Sequence, residues 1–105
     1  MRQALLLIVE ESFVLDSRGV VLIPDFPVPA AGWSRCVTTV TVDPQDQESF
    51  TSSASLELNH FNIPGALAEQ RWRVVVTLQR ETPVPRGTHV LAPAEVVQAL
   101  VGTGD

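Results

Sequence analysis

The chain has 105 residues, room for one domain with a single core and little else. Hydrophobic residues make up 45%, which excludes disorder through lack of apolar material, and charged residues are only 18%. The 12 acidic and 7 basic side chains give a net charge of −5, which argues against a nucleic-acid partner, because such binders draw affinity from a basic excess that displaces phosphate counterions.

The first apolar run, Leu5 to Val9, reads as a buried strand. Ahead of it Met1-Arg2-Gln3 superficially resembles a secretion signal. The apolar run is only about six residues long before Glu10-Glu11, however, and no small-residue cleavage site follows. No stretch approaches the roughly 20 apolar residues that span a bilayer. The expected location is cytoplasmic, and the single cysteine, Cys36, fits a reducing compartment and excludes an intrachain disulfide. Phe13-Val14-Leu15 resumes the apolar pattern. Asp16-Ser17-Arg18-Gly19 then supplies a turn, and Val20-Val21-Leu22-Ile23 follows at once, a hairpin signal.

Pro24, Pro27 and Pro29 remove three ladder donors within six residues, so this stretch is expected to be an extended loop or edge crossing. Beside it, Phe26 and Trp33 are the best candidates for binding residues, since aromatics anchor interfaces. The competing role for both is to pack the loop onto the domain. Cys36 to Val42 reads as a half-buried strand with Cys36, Thr38, Val40 and Val42 on one face. Asp43-Pro44-Gln45-Asp46 forms a turn. From Phe50, one face carries Phe50, Ser52, Ala54, Leu56 and Leu58, and the other Thr51, Ser53, Ser55, Glu57 and Asn59. Asn62-Ile63-Pro64-Gly65 is a further turn.

The clearest strand is Arg71 to Gln79, with Trp72, Val74, Val76 and Leu78 facing the expected core and Arg71, Arg73, Thr77 and Gln79 facing away; Val75 breaks the alternation. Pro83 to Gly87 turns into a short strand, Thr88 to Leu91. The tail from Pro93 to Leu100 reads two ways. Pro93, Glu95 and Gly102 favour a short helix, while Val96-Val97 favours a final strand. The pattern predicts a single mainly β domain over residues 1–105, a small antiparallel barrel or sandwich.

Two stretches resemble the second domain of translational GTPases, the elongation-factor-Tu-like β-barrel. The first is Val9 to Val21, with an acidic pair before Phe13 and the Arg18-Gly19 turn leading into a Val-rich strand. The second is Val74 to Leu78 followed by Val84-Pro85-Arg86-Gly87-Thr88-His89-Val90-Leu91. Pro24 stands where the family usually has a glycine, and Ser34 to His60 matches only as strands. The resemblance implies a barrel of about six strands used as a docking surface. There is no G-x-x-x-x-G-K-[ST] phosphate cradle, so the nucleotide-hydrolysing part of the family is missing.

Catalytic signatures are sparse. Cys36, His60 and His89 are the only soft-ligand or nucleophile candidates, and neither Cys-x-x-Cys nor His-x-x-x-His spacing occurs. Adjacent Glu10 and Glu11 point to opposite faces of a strand, which prevents a close carboxylate pair; surface pairing with Arg18, Arg71 or Arg73 is expected. Arg71-Trp72-Arg73 invites a nucleic-acid reading, but in a strand Trp72 faces away from both arginines. No catalytic residue, metal or cofactor is expected. The leading expectation is a non-enzymatic interaction module that presents the Phe26–Trp33 loop or a sheet edge to a protein partner, with a homodimer as one form. A translation-related barrel contacting RNA or ribosomes is the alternative, and an enzyme built on Cys36 and a histidine is the third.

Overall fold

The computed structural model describes residues 2–15, 19–61, 64–65 and 71–101. Seven strands and a helix follow one another: β1 (Gln3–Ile8), β2 (Glu11–Leu15), β3 (Gly19–Pro27), β4 (Cys36–Asp43), β5 (Phe50–His60), β6 (Trp72–Leu78), β7 (His89–Pro93) and α1 (Ala94–Val101). The strands form one antiparallel sheet in the order β1-β7-β4-β5-β6-β3-β2.

β1 and β2 occupy opposite edges of that sheet, yet only Val9 and Glu10 separate them in the chain. In a flat sheet those edges would lie about 29 Å apart at the usual strand spacing, far beyond the reach of two residues. The sheet therefore curls until its edges meet. The join is hydrogen-bonded on both sides. The Val9 N–H donates to the Thr88 carbonyl (2.9 Å), the Gly87 N–H donates to the Val9 carbonyl (2.8 Å), and the Glu10 N–H donates to the Ile23 carbonyl (2.8 Å). Counted as one bent strand, β1–β2 leaves six positions around a small, barrel-like curl, which agrees with the fold class read from the sequence.

The inner face is filled by short aliphatic side chains. Val20, Leu22, Val40, Val42, Ala54, Leu56, Val74, Val76, Leu78, Val90 and Ala92 are wholly buried. A narrow curl has no room for more, and the aromatic rings stand around its margins. The inward parities read for β4, β5 and β6 hold at Val40, Val42, Ala54, Leu56, Val74, Val76 and Leu78, because the pleat imposes a strict period of two, and fail only toward the strand ends.

Two expectations along the chain change, and one left open is decided. The proline-rich stretch is not all loop: β3 runs on through Pro24, Asp25 and Phe26 to Pro27. Its pairing with β6 shifts register between Leu22 and Phe26, so Pro24 stands in a bulge where no ladder donor is required. The tail is a helix, with Leu100 buried and Val96 and Val97 packed on the core. Burial of this three-residue stripe outweighs the weak helix propensity of the two valines. Finally, Trp72 has the inward parity but is 46% exposed. Pairing of β4 with β5 ends at Cys36↔Leu56, so Leu58 and His60 of β5, and Trp72 opposite His60, lie beyond the rim of the core.

The β2–β3 hairpin forms as expected, with Leu15 opposite Gly19; Asp16, Ser17 and Arg18 of its turn lie outside the described residues. Gly19 has a φ of 115°, and a Cβ there would overlap the Leu78 carbonyl oxygen, so only glycine fits. Asn62 and Ile63 of the second turn are likewise outside the described residues.

Candidate functional site

The outer face of the sheet carries the most distinctive surface. Strand pairing aligns Phe13, Val21, Thr77, Ser55 and Val37 in one row across β2, β3, β6, β5 and β4, all on the side away from the core. An outer face of a solvated antiparallel sheet ordinarily alternates polar residues. Here both ends of the row are exposed hydrophobics, Phe13 at 49% and Val37 at 60%. Leu15 and Phe61, also exposed, stand on either side of the row.

Between them the face is concave. A hollow of about 350 Å³ is lined by Leu15, Val21, Val75, Thr77 and Ser55, with Phe61, Asn59, Gln79, Arg35 and Glu57 completing it. Its volume lies at the lower end of the range for ligand or side-chain pockets. Val75 and Ser55 form the floor, only 5% and 6% exposed although they point away from the core. Val75 is the residue that broke the alternation of its strand in the sequence. That irregularity marks the position where the outer face itself is buried.

Polar groups in the hollow are largely neutral. The Arg35 guanidinium lies 2.5 Å from a Glu57 carboxylate oxygen, so among the described residues of the lining the one cation is matched by the one anion. The pair is exposed and contributes little to stability. The Ser55 hydroxyl makes no hydrogen bond to a described residue and opens toward the hollow.

Phe26 and Trp33 are elsewhere. Both are half-buried and packed against the core. Phe26 lies in β3 opposite Val74. Trp33 precedes β4, and its indole N–H donates to the Leu56 carbonyl (3.0 Å) at the point where β4 leaves β5. The indole thus ties the segment before β4 to β5 at the last paired position of the ladder. The structure brings neither residue to the hollow.

The remaining candidates are dispersed. Cys36 opens β4, whereas His89 pairs with Asp43 at its far end, about 24 Å away along the strand. His60 lies four residues past Leu56, the partner of Cys36, roughly 14 Å along β5. No nucleophile–base contact forms between Cys36 and either histidine. His60 packs edge-to-face on Trp72, with ring centroids 4.9 Å apart. The expected pairing of Glu10 or Glu11 with Arg73 is replaced: Arg73 donates to Asp25 at 3.0 Å, because the overrun of β3 places Asp25 beside β6. Among the described residues no three His, Cys, Asp or Glu side chains gather as a metal site, and no helix is long and apolar enough to cross a membrane.

Sequence reasoning missed the hollow because its lining comes from five separate segments. The one local signal was Val75. No protein-family model, curated protein or solved structure matches this chain.

Proposed function

We propose that this chain is a non-enzymatic interaction module that receives a protein partner on the outer face of β2, β3, β6 and β5. The observation that carries the reading is the hollow floored by Val75 and Ser55 and flanked by exposed Phe13, Leu15 and Phe61. Apolar groups left at the surface around a concavity are the usual signature of a contact site. The partly open edge beside it adds to the case. Segment 84–88 follows the β1–β2 bend as far as Ser12, whose hydroxyl donates to the Val84 carbonyl and accepts from the Val84 N–H. Beyond Ser12 the edge residues Phe13, Val14 and Leu15 remain exposed.

The face on β2 is a better docking surface than Phe26 and Trp33, whose rings are already engaged with the core. A reducing, cytoplasmic setting suits the single cysteine and completes the proposal. The test is capture of a partner by wild-type chain, Phe13→Asp, Leu15→Asp, and the pair Phe26→Ala and Trp33→Ala. The reading expects loss with the first two at unchanged fold. Equal recovery with all variants overturns it.

A second reading, a translation-related barrel that contacts RNA or ribosomes, draws on the resemblance to the elongation-factor barrel and on the six strand positions around the curl. Binding to tRNA or ribosomes at about 50 mM salt tests it, since phosphate-driven binding is strongest there. Its absence removes the reading.

A further inference from the structure

Where β6 ends, the chain is pinned before it turns away. The Gln79 N–H donates to the Ser53 carbonyl of β5 (2.9 Å), and the Arg80 N–H donates back to the Leu78 carbonyl (3.0 Å). Arg80 is thereby held beside the start of β5, with its guanidinium carbon 4.6 Å from the centroid of the Phe50 ring, a cation–π contact. Its Nη2 donates to the Thr82 hydroxyl. Ring and hydroxyl together restrict the guanidinium before any ligand arrives, which lowers the ordering cost of binding one.

This fixed cation lacks a counter-ion. Arg35 and Arg73 each pair with a carboxylate, whereas among the described residues none pairs with Arg80, its neighbour Glu81 included. Arg80 Nε is shut off from solvent and has no acceptor. A cation that has lost water on one side without gaining an anion carries an uncompensated desolvation cost. Nη1 makes no hydrogen bond to a described residue and is not buried, so that end of the fork is open. Beside it lies a hollow of about 510 Å³, lined also by Thr51, Ser52, Ser53 and Thr82. The Thr82 hydroxyl accepts from Arg80, which leaves its own hydrogen to donate to the same oxyanion.

We propose that this hollow is a carboxylate-binding site, in which Arg80 Nη1 and the Thr82 hydroxyl hold the carboxylate oxygens. Charge selects a carboxylate over a phosphate. Glu81 lines the same hollow and the chain carries a net −5, so a dianion would meet repulsion that one guanidinium does not offset. A singly charged, planar anion is balanced by it. The inference stands apart from the outer-face reading, since the two linings share Gln79 alone.

Proton–nitrogen correlation spectra of the full chain test the proposal, with sodium acetate as the probe and sodium chloride at equal ionic strength as the reference. Acetate should shift the Arg80 Nε–H resonance and the amides of Ser53 and Thr82 saturably, with a dissociation constant of about 1–10 mM, and chloride should not. Arg80→Lys keeps the charge but loses the planar fork, and should weaken acetate binding about 5-fold or more. Arg80→Gln should abolish the response while the amide dispersion stays that of the wild type. A short peptide with a free terminal carboxylate, compared with its amidated form, separates the two sources of the group. Tighter binding than acetate that is lost on amidation supports a peptide end, and affinity equal to acetate supports a small free acid. No saturable shift up to about 50 mM acetate overturns the site, as does a response that persists unchanged in Arg80→Gln. Inorganic phosphate that binds more tightly than acetate overturns the carboxylate as its ligand.

Discussion

Gly19, Trp33 and Thr88 show how single positions answer to the backbone around them. Gly19 has a positive φ and no space for a methyl group beside the Leu78 carbonyl. Gly19→Ala combines a disfavoured backbone region with a clash against main chain that cannot move aside. It should lower stability by about 2 kcal/mol or more, read as a fall in the urea midpoint at unchanged slope. Trp33 donates its indole N–H where β4 departs from β5. Trp33→Phe keeps most of the ring and loses that bond, at a cost of about 1 kcal/mol in the same measurement. A change within error would mean that water replaces the indole there at no cost. Thr88 is wholly buried just ahead of β7, not within the strand as its sequence reads, and its hydroxyl donates to the Pro85 carbonyl at 2.7 Å.

Within elements, β6 displays the clearest division between what periodicity settles and what it leaves open. Its alternation placed Val74, Val76 and Leu78 correctly, and all three are wholly buried. The same alternation put Trp72 in the core, where the strand has already passed the rim. The two ends of β6 should therefore respond differently. Leu78→Ala is expected to cost about 3 kcal/mol, as a large-to-small change in a packed interior. Trp72→Ala should cost about 1 kcal/mol or less despite the greater volume removed, because the ring is half in water already. Equal losses at the two sites would contradict the placement of the rim. In β5, amide exchange should separate Ala54 and Leu56, flanked on both sides by strands, from Asn59 and His60, which have β6 alone. Protection extending evenly to His60 would indicate a further strand beside it.

At the scale of the whole molecule, the decisive feature is the two-residue join between the edge strands. Because Val9 and Glu10 bond to both neighbouring segments, the curl is held by the chain itself as well as by the core. Insertion of a flexible four-residue Gly-Ser segment between Val9 and Glu10 would free the edges. It should lower the thermal midpoint by several degrees, and more than the same insertion at Ala31-Gly32 in the connection before β4. Equal effects at the two sites would show that the core alone maintains the curl.

The residues themselves determined what depends on near neighbours in the chain. Strand parity in β4, β5 and β6, the glycine at the start of β3 and the mainly β character were all readable, because the pleat repeats every two residues and turns have local conformational demands. The helical tail was balanced on local grounds and was decided by burial of Leu100. Only the tertiary structure decided how far the core extends, that β3 continues past Pro24 into a bulge, and that Asp25 rather than Glu10 or Glu11 meets Arg73. The hollow belongs to the same category: its lining converges from β2, β3, β5, β6 and the segment before β4. Burial is a property of cross-strand neighbours, and their identity follows from register and curl, which no local period encodes. Val75 alone carried a trace of that arrangement in the sequence, as an apolar residue on a face where the pattern called for a polar one.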